Sequence, residues 1–404
     1  MLWQPPLPGR YRALSAASLS SAIHARRQEL GEQLLILGHH YQQDDVIAHA
    51  DLVGDSLKLS RLAAEEAPRR GARWIVFCGV HFMAETADLL TDDDVHVILP
   101  DLAAGCSMAD MAEYDDCLAA WEAIQRAHAS APGETVRVIP ITYVNSSAAV
   151  KAFVGARGGA CCTSSNAASV FEWALAGGTE PRREGERIQI IFLPDQHLGR
   201  NTAHHKGFVT EVDAARTGAT AQSILWDPRR PHGGTTPAAV HAADVVLWAG
   251  HCSVHKLFRP EHVQDVRTKD PSRGVIVHPE CSQEVVDLAD EFGSTERILN
   301  RVRASAPGES WAVGTEIHLV DRLAIEMAPK GVDVQSLSGC QCLCTTMYRI
   351  DQGHLLWVLD ELAAGRVVNP IRVHPEARAA ARQAVDRMLA SGAGSASTPT
   401  TIRA

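Results

Sequence analysis

The chain has 404 residues, 10 cysteines, 19 histidines and a formal net charge of −10. That length is enough for two or three domains of ordinary size, each with its own core, so no staples are needed. The acidic balance excludes the electrostatic footprint of a nucleic-acid binder, and no apolar run approaches the length of a membrane span, which excludes the membrane.

The opening residues Met1-Leu2-Trp3-Gln4-Pro5-Pro6-Leu7-Pro8 carry prolines where a secretory signal would carry an apolar helix. Cysteines in such a chain read as thiols of a reducing, cytoplasmic compartment, where they bind metals or react more often than they pair. Residues 1–30 form an N-terminal extension whose Ile23 and Leu30 spacing predicts a helix over 18–31. Leu34-Leu35-Ile36-Leu37 is then a short, wholly apolar run of the kind a buried parallel strand shows, and it ends abruptly in Gly38-His39-His40-Tyr41-Gln42. The pattern recurs. Trp74 to Cys78 runs into Gly79-Val80-His81, and Val95 to Leu99 runs into Pro100 and on to Gly105-Cys106, with helical stretches over 57–69 and 82–90 between them.

A second series follows. Val136 to Ile141 ends in Thr142-Tyr143-Val144-Asn145-Ser146, Cys161-Cys162 in Thr163-Ser164-Ser165-Asn166, Ile188 to Phe192 in Leu193-Pro194-Asp195, and Val245 to Trp248 in Ala249-Gly250-His251-Cys252. Gly/His/Thr-rich residues around His204-His205 and Arg229 to Thr236 read as surface loop, and the basic pairs Arg182-Arg183 and Arg229-Arg230 as solvated loop charge. A third series opens at Gly274-Val275-Ile276-Val277, ends in His278-Pro279-Glu280-Cys281, continues through Trp311 to Glu316 and closes at Cys344. The alternation predicts an α/β protein of three Rossmann-like αβα units with small parallel sheets, arranged about a pseudo-threefold axis. The units span 31–115, 116–256 and 257–350; helices over 351–390 end the fold, and the Gly/Ser/Thr-rich 391–404 is expected to be a disordered tail.

Each series finishes on a cysteine beside small or polar residues: Cys106, Cys252 and Cys344. The last sits in the dense stretch Cys340-Gln341-Cys342-Leu343-Cys344, whose spacing brings three thiols close together. Three cysteine ligands without an obvious fourth fit a [4Fe-4S] cluster with one open iron; zinc with three cysteines and water is the metal alternative, although paired Cys-x-x-Cys knuckles are absent. Gly54-Asp55-Ser56, Thr163-Ser164-Ser165 and Gly293-Ser294-Thr295 each place hydroxyls before a helical pattern, where ordinary N-caps and anion sites both occur. His39, Tyr41, Tyr143, His255, His278 and Glu280 fall at strand ends or beside a proposed ligand and are the acid–base candidates; Glu280 stands out, since a carboxylate straight after a buried strand is costly unless used or paired.

These motifs, together with Gly38-His39-His40-Tyr41-Gln42, Ala104-Gly105-Cys106-Ser107-Met108-Ala109, Leu193-Pro194-Asp195, Gly250-His251-Cys252-Ser253-Val254-His255, His278-Pro279-Glu280-Cys281 and Cys344-Thr345-Thr346-Met347, run in order over residues 34–350. In that order and register they resemble the quinolinate synthase A family, iron–sulfur enzymes of NAD biosynthesis. The resemblance implies condensation of iminoaspartate with dihydroxyacetone phosphate to quinolinate, with loss of phosphate and two waters. It implies one [4Fe-4S] cluster at the central junction of the units, held by Cys106, Cys252 and Cys344, its open iron a Lewis acid for dehydration. The choice of Cys344 over Cys342 rests on its spacing to Met347, and Cys340 and Cys342 read either as thiols beside the cluster or as a redox pair that oxidises when the cluster is lost. His39, Tyr41, Tyr143, His278 and Glu280 would serve catalysis, and His39, Ser56, Tyr143, Asn145, Ser164, His278, Glu280, Ser294 and Thr295 would bind substrate. L-aspartate oxidase is the candidate functional partner.

Overall fold

The computed structural model describes residues 4–131, 133–339 and 342–391. Runs apolar on both faces become parallel strands because only helices on both sides of a sheet can bury them. In chain order these strands are β1 (Leu34–His39), β2 (Leu52–Gly54), β3 (Trp74–Cys78), β4 (His96–Ile98), β5 (Thr135–Tyr143), β6 (Ala160–Cys162) and β7 (Glu186–Leu193). They continue with β8 (Ser223–Trp226), β9 (Val245–Trp248), β10 (Gly274–Val277), β11 (Glu291–Phe292), β12 (Ser310–Gly314), β13 (Asp333–Ser336) and β14 (Pro370–Ile371). Three small sheets result, in the orders β14-β4-β3-β1-β2, β6-β5-β7-β9-β8 and β11-β10-β12-β13. All named pairs are parallel except β14 against β4. The fold is thus α/β, with small, mostly parallel sheets flanked by helices. No described helix is long and apolar enough to cross a membrane.

The residues group into two compact units: Met1–Cys106, Glu316–Glu326 and Gln341–His374 form one, and Ser107–Thr315, Met327–Cys340 and Pro375–Ala404 the other. The first holds the first sheet. Its helix Ser56–Arg70 starts where the Asp55 side chain accepts from the Lys58 amide at 2.9 Å, so Asp55 is the cap and Ser56 the first helical residue. The helix Ala16–Leu30 is tied to the helix Gln352–Ala363 by an Arg26–Asp360 ion pair of 2.6 Å. The buried Asp88 fixes the returning chain at β14, accepting from the Val373 amide at 2.9 Å and from Arg372 at 3.0 Å.

The second unit holds the other two sheets. His204 and His205, expected in a surface loop, end the helix Gln196–His205 instead. His204 meets Asp213 at 2.8 Å and His205 stacks on Phe292 at 4.5 Å. The capping carboxylate of Asp195 starts that helix and the polar surface of its last turn finds partners within the unit, a pairing that a polar sequence run does not reveal. Asn201, on the same helix, donates to the carbonyls of Pro279 and Cys281 at 2.8 and 2.9 Å and so ties the β7 region to the loop after β10. Arg229 to Thr236 is the exposed turn expected of it. The final helix, Pro375–Ser391, lies on the helix Ala148–Ala156, and Arg387 donates to the carbonyls of Gly155 and Gly159 at 3.1 and 2.6 Å. Of the expected tail, Ser391 ends this helix and residues 392–404 lie outside the described residues, as does Cys340.

A Cβ on Gly155 would stand 1.8 Å from the Ala380 carbonyl oxygen, so the two helices approach as closely as they do only because that position is glycine. Gly155→Ala is expected to cost about 1–3 kcal/mol by forcing the helices apart. Urea unfolding would read this as a lower midpoint, and an unchanged midpoint would show that the contact is not tight.

Candidate active site and metal centre

In the second unit, polar side chains gather at the carboxyl ends of parallel strands, where an α/β sheet exposes backbone and loops free to carry chemistry. Tyr143 ends β5, Asp195 follows β7, Cys252 and His255 follow β9, and His278 and Glu280 follow β10. The Glu280 carboxylate is 3% exposed and lies 2.7 Å from Nδ1 of His255. Because a carboxylate can only accept, Nδ1 carries the proton there. The other ring nitrogen, Nε2, then faces the Thr315 hydroxyl at 3.1 Å. His278 stacks on the His255 ring at 4.4 Å, and its Nδ1 accepts from the Glu280 amide at 3.3 Å, so the turn His278-Pro279-Glu280 is closed on itself. The Tyr143 side chain also bonds Glu280.

Burial alone would raise the carboxyl of Glu280. The imidazoles of His255 and His278, with the hydrogen bonds from His255 and Tyr143, outweigh it and hold the group below the ordinary carboxylate range. His278 is neutral, because burial, and then the neighbouring His255, push it down to about 3. Asp195 moves the other way: burial first, then the charge of Glu280, raise it well above the usual value. Glu280 therefore keeps the negative charge, and Asp195 is the one of the two that takes a proton more readily.

In the first unit, His39 ends β1 and packs edge-on against Tyr41, with ring centroids 4.8 Å apart. Its Nδ1 accepts from the Tyr41 amide at 3.2 Å, which leaves the proton on Nε2. Arg322, from the helix Ile317–Met327, clamps this loop by donating to the carbonyls of His40 and Gln42 and to Asp44. Gln43 ties the same loop to the turn after Cys344 through the carbonyls of Tyr348 and Ile350, each at 2.9 Å.

The thiols sort themselves by exposure. Of the nine described cysteines, Cys106, Cys252 and Cys344 are half-buried, whereas Cys78, Cys117, Cys161, Cys162, Cys281 and Cys342 are buried. None of the nine is in a disulfide. The three half-buried thiols also share one local structure: a two-residue turn and then a 3-10 helix that begins three residues on, at Ala109, His255 and Met347. In each the residue two after the cysteine accepts the closing bond, Met108 from Met111 at 3.1 Å, Val254 from Leu257 at 3.1 Å and Thr346 from Arg349 at 3.3 Å. Cys342 has no such turn after it; its carbonyl accepts from the Ile317 amide. Three thiols in one repeated turn fit a soft, thiolate-ligated group better than three unrelated core cysteines would. The donor atoms of Cys252, His255 and Glu280 also lie within 4.8 Å of one another.

Of the substrate-binding candidates, Ser294 is the cap of the helix Thr295–Arg303, its hydroxyl accepting from the Arg297 amide at 3.4 Å, and Thr295 opens that helix. Ser56 opens the helix that Asp55 caps. Ser164 stands further from its helix, Ala167–Leu175, than the sequence pattern implied, because Asn166 takes the capping position and folds back to the Thr163 amide at 2.7 Å. Asn145 follows β5, and its buried Oδ1 has no partner among the described residues. A buried amide oxygen left unpaired costs about 1–3 kcal/mol, so this edge is poised for a ligand. Sequence reasoning did not single out the buried carboxylates Asp195 and Glu316, which contact the Cys252 and Cys344 amides. The signal was there: each follows a strand's apolar run, the feature that marked Glu280.

Comparison with known proteins agrees with the motif resemblance. The family model described as "NadA: Quinolinate synthetase A protein" matches residues 21–390. A protein of Acidobacterium capsulatum named quinolinate synthase is 50% identical over 379 residues, 94% of this chain and 94% of that one. Quinolinate synthases of Herpetosiphon aurantiacus and Halalkalibacterium halodurans are 49% and 45% identical, covering 94% and 95% of this chain and 94% and 96% of their own lengths.

His278 protonates in the folded chain only near pH 3, against an ordinary value of 6.5. Between those values the unfolded chain binds a proton that the folded chain refuses, so this ring's contribution is complete above about pH 6.5 and is lost as the pH falls. The slope from one such group is up to about 1.4 kcal/mol per pH unit. His278→Gln should flatten the decline of the urea midpoint between pH 6 and 4; an equally steep decline in the variant would place the acid sensitivity elsewhere.

Proposed function

The chain belongs to the quinolinate synthetase A family, and on that premise we propose that it condenses iminoaspartate with dihydroxyacetone phosphate to quinolinate, releasing phosphate and two waters, in NAD biosynthesis. The observation that carries this reading is the turn repeated at Cys106, Cys252 and Cys344, the three described cysteines that are not buried. Those thiols, one from each of the α/β units 31–115, 116–256 and 257–350, would hold a [4Fe-4S] cluster and leave one iron open. Such a cluster would supply Lewis acidity that makes a substrate hydroxyl a better leaving group.

The remaining work falls to the chain's own side chains. Glu280, held ionised by His255, is placed to take a proton from a substrate carbon or nitrogen, and Tyr143, bonded to it, can carry the proton onward. His278 serves as a neutral hydrogen-bonding ring, since burial keeps it uncharged near neutral pH. His39 and Tyr41 form a second polar pair whose Nε2–H and phenol are suited to orienting a carbonyl and relaying its proton. The unpaired amide edge of Asn145 and the hydroxyls of Ser56, Ser164, Ser294 and Thr295 are assigned to substrate carboxylates and phosphate. A cytoplasmic setting suits a set of described cysteines without disulfides, and an L-aspartate oxidase would be the source of iminoaspartate.

A zinc-dependent lyase is the second reading, favoured by the convergence of Cys252, His255 and Glu280. Metal content separates the two. Anaerobically purified protein should be brown, with about four irons and four sulfides per chain. Changing Cys106, Cys252 or Cys344 to Ser should each abolish the cluster while Cys340→Ser and Cys342→Ser retain it. A colourless protein with one zinc per chain would select the lyase reading, and cluster loss in Cys342→Ser with retention in Cys344→Ser would move the third ligand. Glu280→Gln should keep its iron and lose about 10²–10⁴-fold in quinolinate formation; near-normal turnover would remove Glu280 from the mechanism.

A further inference from the structure

Two buried carboxylates outside the proposed catalytic set make the same pair of contacts. Asp195 is the residue before the helix Gln196–His205, and one of its oxygens accepts from the Leu198 amide at 2.7 Å. Its other oxygen accepts from the Cys252 amide at 3.2 Å. Glu316 is the residue before the helix Ile317–Met327, and its Oε2 accepts from the His318 amide at 2.9 Å and the Leu319 amide at 3.4 Å. Its Oε1 accepts from the Cys344 amide at 3.5 Å and faces Nδ1 of His318 at 2.8 Å. Both side chains are 0% exposed.

The chain positions correspond as well as the contacts do. Asp195 stands two residues after β7, whose parallel neighbour β9 leads to Cys252. Glu316 stands two residues after β12, whose parallel neighbour β13 leads to Cys344. In the first sheet the corresponding place, before the helix His81–Leu90, is held by Val80, whose side chain has no acceptor. Burying a carboxylate costs several kcal/mol unless donors surround it, and an ordinary helix cap can sit at the surface, where the cost is small. A second oxygen turned onto a cysteine amide is therefore more than capping requires.

We infer that Asp195 and Glu316 are positioning residues that fix the backbones of Cys252 and Cys344, so that those two thiols are aimed before iron arrives. The inference rests on the iron–sulfur reading of those cysteines. It assigns the two carboxylates a part in holding the group and none in the condensation chemistry. Each also places a carboxyl oxygen against the backbone of a ligand, so exchanging it for an amide should alter the hydrogen bonding around the group as well as its retention.

Asp195→Asn and Glu316→Gln preserve shape but leave one acceptor oxygen where two are needed, with an amide N–H₂ turned toward a backbone donor. In the reconstituted full chain, each variant is expected to lose iron to a chelator about 10–100-fold faster than wild type and to show a reduction potential different from wild type. The control is Asp351→Asn, the same carboxylate-to-amide exchange at a cap that accepts from the His354 amide at 2.8 Å on the helix Gln352–Ala363 and has no cysteine contact among its hydrogen bonds. It should release iron at the wild-type rate. A variant that fails to fold leaves the other to decide. Wild-type release and potential in a folded Asp195 or Glu316 variant, or equal acceleration in Asp351→Asn, would overturn the inference alone. A wild-type chain that takes up no iron would overturn the iron–sulfur reading and the inference with it.

Discussion

The contact between Glu280 and His255 is the constraint on which the second unit's site depends. A carboxylate 3% exposed is tolerable only if a donor meets it, and His255 Nδ1 does so at 2.7 Å. That one pairing sets the tautomer of His255, turns its Nε2 to Thr315 and stacks the ring against His278, which burial, and then His255, keep neutral. Burial, and then the charge of Glu280, push the next acid, Asp195, toward protonation. His255 is the first residue of the 3-10 turn that follows Cys252, so the partner of the buried carboxylate and the placement of that thiol share a single short segment. A substitution in that turn therefore acts on both at once.

The repeated element is a strand end followed by a tight turn. Parallel strands bring backbone amides and short loops to one edge of each sheet, and the same turn after Cys106, Cys252 and Cys344 places a half-buried sulfur at the start of a 3-10 helix each time. Burial pushes the thiols of Cys78 and Cys161 up to about 12 and raises Cys344 as well, so exposure and the following turn, not acidity, set the three apart. What distinguishes Cys344 from Cys342 is the turn that follows it.

Much of this was legible in the sequence because it depends on local pattern. Continuous apolar runs such as Leu34 to Leu37 and Val245 to Trp248 specify buried parallel strands by themselves, and the three-sheet α/β class followed from their order. The family resemblance, carried by motifs spread over most of the chain, is borne out by the match over residues 21–390. What was not legible depends on partners. The strands Ser223–Trp226, Asp333–Ser336 and Pro370–Ile371 are short or polar and exist because a neighbouring strand supplies their hydrogen bonds. His204 read as loop because its partner Asp213 is contributed by another element. The pairing of His255 with Glu280 and of Asp195 with the Cys252 amide joins residues far apart in the chain, and periodicity carries no trace of either. Glu280 could be singled out from the cost of burial; which residue met that cost could not.

The most direct measurement is the anaerobic assay of the iron-loaded chain with dihydroxyacetone phosphate and iminoaspartate generated in place. Quinolinate and phosphate should appear in equal amounts, only when both substrates are present, and should disappear when the protein is stripped of iron. A fully loaded, folded chain that forms no quinolinate under these conditions, or a stripped chain that forms it at the same rate, would contradict the account.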